Sequence, residues 1–320
     1  MKDFSYILEK IECADFSSVP FRHVYIDSLF TDEHLLEIVR SPEVSLPPSR
    51  NDEELLGALV LNGYKAVHFP GCTTNLRSYL DWHRTRDRRM VENSSACEGF
   101  GMAFRLDEPR SPILKALKTF LEGDDFNRTI ASKVGTSLDS CNVVNGIQKY
   151  LDGYEISPHP DTRRKAATFM VNINSAADSE FRDHHTRYMS LKKQRKYVQS
   201  FWEENTDFDR CWVPWNWCET QTIQRANNSM VLFSPTNETL HAIKASYDHL
   251  NGQRTQLYGN LWFKDTGKMQ DVTWEDLDLR RERTALMAQR SSQRTALRRI
   301  AGAILPRSIK ALIKDLLQVQ

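Results

Sequence analysis

Long apolar runs are missing from this sequence. No stretch of about 18 apolar residues occurs in the 320-residue chain, so we expect no membrane-spanning helix. The opening segment, MKDFSYILEK, carries charges and lacks an apolar core, which argues against a secretory signal. A surplus of charge is missing as well, since 43 Lys and Arg stand against 42 Asp and Glu. Bulk charge therefore gives no reason to expect a nucleic-acid partner.

Paired cysteines are also absent. Six cysteines occur, and none stands in a CxxC pair. Without a signal peptide, a chain of this length is not expected to depend on a disulfide framework. Cys211 and Cys218 lie at a spacing that does not suit a zinc site. We therefore predict free, mostly buried thiols and a cytoplasmic protein.

The residues that are present indicate a globular fold that begins with helices. Hydrophobic residues make up 40% and charged residues 27%, and the length suits one large domain with added helices. A β-rich run over 22–29 predicts a first strand, and Thr31 is a good N-cap for the helix that follows. Residues 44–53 predict a loop. A second helix is predicted from Ser111 to its stop at Gly123.

From about residue 141 the pattern changes to strands. The runs VVNGIQKYL, AATFMVNIN, SMVLFSP and RTQLYGNLWF are rich in β-formers, and polar, turn-rich segments separate them. Helices followed by a block of strands predict an α+β protein with a β-sandwich or barrel core. An insertion over about 175–222 interrupts the strands and is long enough to form a lid. We place the strand core at about 141–265, within a domain that covers 1–283.

The C-terminal stretch 284–320 differs from the rest. Leu and Ile recur at helical spacing on both sides of Pro306, and Arg and Lys occupy the other face. This pattern predicts a basic amphipathic helical tail. Such a helix could dock on the domain, pair two subunits, or lie on an anionic membrane surface and make the protein peripheral to the membrane.

A short motif carries the main chemical signal. In the sequence PHPD, His159 and Asp161 stand at positions i and i+2, which point to the same side of a strand and can serve one metal ion. His241, which directly follows a strand and a turn, is the best third ligand, and His249 in a polar run is the alternative. Two histidines and a carboxylate leave half of an octahedron open, as in iron(II) oxygenases. Alone, the motif is weak evidence for a metal site, and a surface turn around Pro160 is its more common explanation.

Two further residues give the motif a context. Tyr150 and Gly153 precede it in the pattern Tyr-x-x-Gly-x-x-x-x-Pro-His-x-Asp, and Arg254 opens the strand RTQLYGNLWF after the distal histidine. A 2-oxo diacid needs a cation for its distal carboxylate, and Arg offers a planar bidentate fork. In order and spacing, the arrangement resembles the 2-oxoglutarate-dependent dioxygenases of the prolyl 4-hydroxylase type. The resemblance covers about 20–265 and includes the opening PFRHVYIDSLFTDEHLLEIV.

The resemblance implies a double-stranded β-helix (jelly-roll) core with flanking helices, and Fe(II) inside the barrel mouth. It also implies that Tyr150 hydrogen-bonds 2-oxoglutarate and that Arg254 pairs with its distal carboxylate. Thr168 and Asn172 share the strand face that lines the co-substrate pocket in that family, so they are further candidates. Outside the resemblance, the tyrosine would suit a core and the arginine a surface.

The implied activity is the hydroxylation of an unactivated C–H bond with 2-oxoglutarate and O₂, which releases succinate and CO₂. Related halogenases have Gly or Ala in place of Asp161, so a carboxylate there argues for hydroxylation or a related oxidation. Gln256 departs from the Ser or Thr that many relatives have two residues after the basic residue. A cupin-like metalloprotein and a non-catalytic binding module on the same barrel are the alternatives.

For the substrate we expect a small molecule, a glycan or an amino acid. Arg163 directly follows the motif and could bind an anion, although a solvated turn is the common case. Aromatic residues of the insertion could cover a sugar or a ring, although packing is their more common role. These are Trp212, Trp215 and Trp217. The adjacent His184 and His185 are expected at the surface.

Overall fold

Twelve strands in two antiparallel sheets organise the part of the chain that the structure describes. The structure is a computed structural model and describes residues 3–68, 71–86 and 100–270. The predicted tail 284–320 and the end of the predicted domain, 271–283, lie outside these residues. The helices are α1 (Tyr6–Cys13), α2 (Asp32–Arg40), α3 (Asp52–Leu61), α4 (Leu76–Thr85), α5 (Pro112–Glu122), α6 (Asp124–Val134) and α7 (Tyr197–Glu204). The strands are β1 (Phe16–Ser17), β2 (His23–Ile26), β3 (Tyr64–Ala66), β4 (Ala103–Leu106), β5 (Cys141–Tyr150), β6 (Glu155–His159), β7 (Lys165–Asn172), β8 (Arg187–Leu191), β9 (Cys218–Ile223), β10 (Met230–Phe233), β11 (His241–Lys244) and β12 (Arg254–Phe263).

The order of the strands is that of a jelly-roll. The larger sheet runs β1-β2-β10-β7-β12-β5-β4-β3 and the smaller sheet runs β6-β11-β8-β9. From β5 onward the chain passes back and forth between the sheets, so that β5, β7, β10 and β12 lie in one and β6, β8, β9 and β11 in the other. Two antiparallel sheets connected in this way form a jelly-roll. The topology agrees with the predicted α+β class, with its β-helix core and flanking helices.

Helices α5 and α6 pack on one face of the larger sheet, against β5 and β7. In the central strand β7, Ala167 and Phe169 belong to the main hydrophobic core, and the ring of Phe169 meets Phe126 of α6 edge-on at 5.4 Å. Thr168 and Met170 point the other way, into a cavity between the sheets. The predicted alternation of β7 is therefore confirmed. The same strand packs the core with one face and lines the cavity with the other.

Local sequence signals account for the first elements. Thr31 caps α2, since its Oγ1 accepts a hydrogen bond from the backbone N–H of His34. The predicted second helix ends at Glu122, followed by Gly123 as its C-cap. The predicted loop 44–53 is too long at its end, because α3 already begins at Asp52. Asn51 is the N-cap of α3, whereas the prediction places both Asn51 and Asp52 in the loop.

The range 175–222 is not a single insertion. It contributes β8 and most of β9 to the smaller sheet, and the excursion between these strands covers 192–217. β9 has the sequence CETQTI, and four of its six residues are exposed, so its polar composition hides it from hydrophobic patterning. Within the described part of the chain, no helix has the length and apolar content needed to cross a membrane.

Candidate metal centre

Two histidines face each other across neighbouring strands of the smaller sheet. His159 ends β6, His241 begins β11, and the two are direct partners in the antiparallel ladder, with ring centroids 4.3 Å apart. Each Nδ1 is 2.9 Å from the backbone carbonyl oxygen two residues earlier, of Ser157 and of Thr239. Because a carbonyl oxygen can only accept, each ring carries a proton on Nδ1. Each Nε2 therefore keeps its lone pair for a metal ion.

The carboxylate of Asp161 completes the set. Asp161 has a φ of +64°, a left-handed conformation that Asp tolerates better than most residues. Its Oδ1 is 3.5 Å from Nε2 of His159, and its Oδ2 is 3.9 Å from Nε2 of His241. All three donor atoms lie within 4.8 Å of one another. These separations suit three donors placed around one ion better than groups hydrogen-bonded to each other.

Two side chains of β7 hold this carboxylate. Lys165 Nζ donates to Oδ1 of Asp161 at 2.6 Å, and Thr168 Oγ1 donates to Oδ2 at 2.7 Å. Burial opposes the charge on Asp161, but the Lys165 ammonium and the two histidines outweigh it and hold the pKa of this carboxyl well below its usual range. Burial and the neighbouring His159 lower the pKa of His241 to about 3. The site therefore offers a carboxylate in Asp161 and a neutral imidazole in His241, the forms in which these groups bind a divalent metal.

The alternative third ligand, His249, lies in a different cluster. Its Nε2 is 2.6 Å from Oδ1 of Asp52, and its Nδ1 accepts from the backbone N–H of Asp152. His83 stacks on it with ring centroids 4.9 Å apart. We expected His249 in a solvated loop, but it is 2% exposed, because both of its nitrogens have partners inside the protein. The structure thus brings His241, and not His249, to the PHPD motif.

Arg254 opens β12 directly opposite Tyr150 of β5. Its guanidinium carbon lies 4.6 Å from the centre of the Tyr150 ring, and its Nη2 donates to Thr186 Oγ1 at 2.9 Å. Arg254 is 2% exposed, and its Nε has no hydrogen-bond partner. Among the residues that the structure describes, no carboxylate pairs with it. Burying a guanidinium without an anionic partner costs free energy, so the site fits the carboxylate of a ligand.

The three candidate metal ligands and Arg254 border one cavity of about 560 Å³ between the two sheets. Tyr150 and Thr168 line the same cavity, and the Tyr150 hydroxyl is hydrogen-bonded to the side chain of Gln148. Asn172 lies one contact behind the wall, since its Oδ1 accepts from Gln256 Nε2 at 2.8 Å and Gln256 lines the cavity. The cavity is within the size range of small-molecule sites.

The predicted substrate-binding residues do not line this cavity. Arg163 Nε donates to the backbone carbonyl of Phe208 at 2.9 Å, which turns its side chain toward the backbone of the excursion. Trp215 Nε1 donates to Oε1 of Glu155 at 2.7 Å. Trp212 and Trp217 are buried in the protein. Their proposed contact with substrate therefore remains a prediction without a place in the cavity wall.

His184 and His185 are not at the surface as expected. They are 1% and 3% exposed, and the ring of His184 meets Tyr247 at 4.6 Å between centroids. Burial, together with the nearby Arg254, lowers the pKa of His185 to about 4. The prediction was wrong because the polar sequence around them folds against the loop between β11 and β12, where Asp183 pairs with Ser246 and Arg182 donates to the carbonyl of Gly252.

Sequence reasoning missed several residues of the cavity wall. Lys165 is not among the predicted site residues, yet it pairs with Asp161, the carboxylate that ends the motif four residues earlier. Gln256 was noted only as a departure from a family pattern. Arg210 comes from the excursion between β8 and β9, and no local signal marked it.

No protein-family model matches the chain, and no curated protein is similar to it by sequence. A prolyl hydroxylase from Trichoplax adhaerens, solved with a peptide of hypoxia-inducible factor, is 10% identical, with 82% of this chain and 89% of that chain covered and a TM-score of 0.41. A prolyl-4-hydroxylase from Pseudomonas putida is 9% identical, with 82% and 99% covered and a TM-score of 0.38. HygX from Streptomyces hygroscopicus, solved with nickel, 2-oxoglutarate and hygromycin B, is 8% identical, with 85% and 91% covered and a TM-score of 0.36. At such TM-scores the chemistry of this chain rests on its own strands and side chains.

Proposed function

We propose that this chain is an Fe(II)- and 2-oxoglutarate-dependent oxygenase that hydroxylates an unactivated C–H bond of a small-molecule, glycan or amino-acid substrate. Three donor atoms would hold the iron, namely the Nε2 atoms of His159 and His241 and a carboxylate oxygen of Asp161. This set occupies three positions and leaves three open, which is the pattern of non-haem Fe(II) oxygenases. When bound, Fe(II) with 2-oxoglutarate and O₂ supplies the oxidation of the C–H bond, with release of succinate and CO₂.

The observation that carries the proposal is the buried guanidinium of Arg254 in the same cavity as the metal donors. A metal site alone would also suit a zinc protein or a cupin-like metalloprotein. Such a protein has no need for a buried cation that lacks an anionic partner. A keto diacid needs both features, a metal for one end and a cation for the other.

The remaining residues position these groups and keep them dry. Lys165 and Thr168 fix the two oxygens of Asp161, so the carboxylate presents a constant face to the metal. Tyr150 supports the Arg254 guanidinium through its ring. Ile156 and Ile243 line the cavity and exclude water from its apolar side. The protein thus supplies position and a low dielectric, in which each charged contact is stronger than in water.

The test compares Arg254→Gln with wild type for binding of 2-oxoglutarate and for succinate release. We expect the wild type to bind Fe(II) and 2-oxoglutarate under anaerobic conditions, with a visible absorption band from the chelate. Arg254→Gln should bind Fe(II) as tightly but need about 10- to 100-fold more 2-oxoglutarate, because one charge-assisted pair is lost. Arg254→Lys keeps the charge without the fork and should fall between the two.

Two outcomes would favour the alternatives. Metal binding that 2-oxoglutarate leaves unchanged would point to a cupin-like metalloprotein. Binding of both Fe(II) and 2-oxoglutarate, without succinate release under O₂ against broad pools of small molecules, would point to a non-catalytic module. Either result would overturn the proposed activity.

A further inference from the structure

A second buried arginine in the cavity lacks an ionic partner. Arg210, from the excursion between β8 and β9, is 7% exposed and lines the cavity. Its Nη2 makes one long contact of 3.3 Å to the carbonyl oxygen of Pro235, and its Nε has no hydrogen-bond partner. Burial lowers the pKa of Arg210 to about 10, so the group stays charged at neutral pH. A buried guanidinium left in this state costs free energy unless something anionic arrives.

The neighbouring carboxylate does not neutralise Arg210. Asp209 binds the backbone N–H of Arg163 at 2.7 Å and the hydroxyl of Thr162 at 2.5 Å. Arg210 hydrogen-bonds Asp209 through its backbone N–H, at 2.8 Å, and its guanidinium is near this carboxylate without forming an ion pair with it. The acid therefore anchors the turn after the metal-binding motif, and the guanidinium of Arg210 projects toward the cavity.

The other basic side chains of the cavity wall, apart from Arg254, have partners of their own. Each is within hydrogen-bond or ion-pair distance of an acceptor, with the side-chain amide of Gln148 oriented to accept. These pairs are Lys165 with Asp161, Arg164 with Asp209, and Arg105 with Gln148. Among the described residues that line the cavity, Arg210 and Arg254 are thus the two arginines with an Nε that finds no acceptor.

The two arginines occupy different parts of the cavity. The electrostatic neighbours of Arg254 are tyrosines, including Tyr150 and Tyr247. Those of Arg210 are Asp161, Asp209 and Arg163, so Arg210 lies toward the metal donors. A single small diacid that binds the metal and Arg254 leaves the second guanidinium unpaired.

We propose that the substrate of this protein is an organic oxyanion, with a carboxylate, phosphate or sulfate group that Arg210 binds inside the cavity. This inference rests on the proposed function and names the substrate class of that same site. Arg210 thereby selects anionic substrates over neutral ones, because a neutral molecule would leave the buried charge unpaired. Its place toward Asp161 holds the anionic end of the substrate near the iron.

The direct test uses inorganic sulfate as the probe and needs neither metal nor turnover. Thermal unfolding is followed as sulfate replaces chloride at constant ionic strength, for the wild type, Arg210→Gln, Arg254→Gln and the double variant. Sulfate stabilises most proteins through exclusion from their surface, so the informative quantity is the saturable part of the rise in Tm. Because Arg254 can also take up an anion, the comparison that isolates Arg210 is that between Arg254→Gln and the double variant. We expect Arg254→Gln to keep a saturable component that the double variant loses.

A saturable component that survives in Arg210→Gln and vanishes in Arg254→Gln would overturn the inference, since one anion site would then explain the cavity. If Arg210→Gln does not fold, wild-type crystals soaked in sulfate decide the question. Sulfate on the Arg210 guanidinium supports the inference. Sulfate at Arg254 alone, or none in the cavity, overturns it.

A substrate screen then separates the sources of the anion. Succinate release is measured with matched pairs, a carboxylic acid with its primary amide and a phosphate or sulfate ester with its parent alcohol. We expect stimulation by the charged member of a pair, and a KM for it about 10- to 100-fold higher in Arg210→Gln. Equal stimulation by the neutral members would overturn the inference while leaving the oxygenase proposal intact. Absence of any 2-oxoglutarate turnover would remove the oxygenase proposal, and the sulfate titration would still judge Arg210.

Discussion

The described part of the chain contains two clusters of two histidines and one aspartate, and the clusters differ in spacing. His159, Asp161 and His241 lie between the sheets, with histidine-to-carboxylate separations of 3.5 and 3.9 Å. In the second cluster, Asp52 begins α3, His83 lies in the last turn of α4, and His249 lies between β11 and β12. The corresponding separations there are 2.7 and 2.6 Å. The first set is spaced for donors around an ion, and the second is spaced for shared protons. Composition alone therefore does not distinguish a metal site from a hydrogen-bond network.

The spacing differs because the ring nitrogens of the histidines have different partners in the two clusters. In the first cluster, backbone carbonyl oxygens take the Nδ1 protons of both histidines and leave Nε2 free. In the second, carboxylates lie on both nitrogens of His83, and His249 is held between Asp52 and the backbone N–H of Asp152. No nitrogen in the second cluster keeps a lone pair without a partner. We therefore interpret this cluster as a structural clamp.

The clamp supports the co-substrate end of the cavity. Asp152 follows β5, where Gly153 has a φ of +82° and where a Cβ atom would come within 2.1 Å of the Trp82 ring. The Oδ1 atom of Asp152 accepts from the backbone N–H of Tyr247 at 3.0 Å. The Tyr247 hydroxyl in turn accepts from the backbone N–H of Arg254 at 2.9 Å. The clamp and Asp152 thus fix the end of β5 and the start of β12. These strand ends carry Tyr150 and Arg254, the residues proposed to bind 2-oxoglutarate.

The largest expected effect separates the two clusters by iron binding. Asp161→Ala should lose high-affinity Fe(II) binding and fall to background in succinate release, because a charged ligand is removed. Asp52→Ala should still bind Fe(II) through the other cluster. Anaerobic calorimetry with Fe(II) measures both variants. Loss of iron in Asp52→Ala with retention in Asp161→Ala would reverse our interpretation of the two sites.

The next effect concerns stability and falls on the clamp. Asp52→Ala leaves the N–H groups of His83 and His249 without their carboxylate and should lower the free energy of unfolding by about 2–4 kcal/mol. Urea denaturation of the metal-free protein gives this value. Glu54→Ala is the matched control, since Glu54 stands in the same first turn of α3 but pairs with the exposed Arg50. Equal losses in the two variants would mean that the helix start, and not the clamp, accounts for the effect.

The sequence predicted the parts of this comparison that local patterns determine. The i, i+2 spacing of His159 and Asp161, and the alternation of β7, follow from strand geometry and need no tertiary information. The partner of His249 could not be predicted in the same way. Asp52 is distant in sequence, and its meeting with His249 depends on how α3 packs beside the loop after β11. A histidine in a polar run can be exposed or clamped, and the run itself does not say which.

The same limit applies to the cavity wall. Arg254 stands at the start of a strand pattern and could be named in advance, whereas Arg210 stands in the irregular excursion between β8 and β9. Lys165 could be placed on β7, but its ion pair with Asp161 depends on the left-handed turn at that aspartate. The fold class and the grouping of His159, Asp161 and His241 were therefore accessible from sequence. The position of Arg210 and the ion pair of Lys165 with Asp161 depend on irregular backbone, which hydrophobic periodicity does not describe.

Two Thr→Val substitutions, one at each end of the cavity, should have smaller effects on ligand affinity and test whether the two ends are independent. Thr168→Val removes the hydroxyl that donates to Asp161 and should weaken Fe(II) binding about tenfold. Thr186→Val removes the acceptor of Arg254 Nη2 and should change the 2-oxoglutarate requirement while leaving Fe(II) affinity unchanged. Calorimetry with each ligand separates the two. Parallel changes in both affinities for both variants would show that the two ends are not independent.

The smallest expected effect is a pH dependence that belongs to the clamp. Burial opposes a charge on His83, but Asp152 and Asp52 outweigh it and raise the pKa of this ring, against a weaker opposing influence of Arg86. A group with a raised pKa in the folded state adds stability that is fully present below its unfolded value of about 6.5 and is lost as pH rises through the folded value. The difference in unfolding free energy between wild type and His83→Gln should therefore be largest below the unfolded value of about 6.5 and should shrink as pH rises above it. Urea denaturation of the metal-free proteins across this range measures it. A constant difference would mean that His83 is neutral in the folded protein, and the second cluster would then keep a nitrogen lone pair that a metal ion could use.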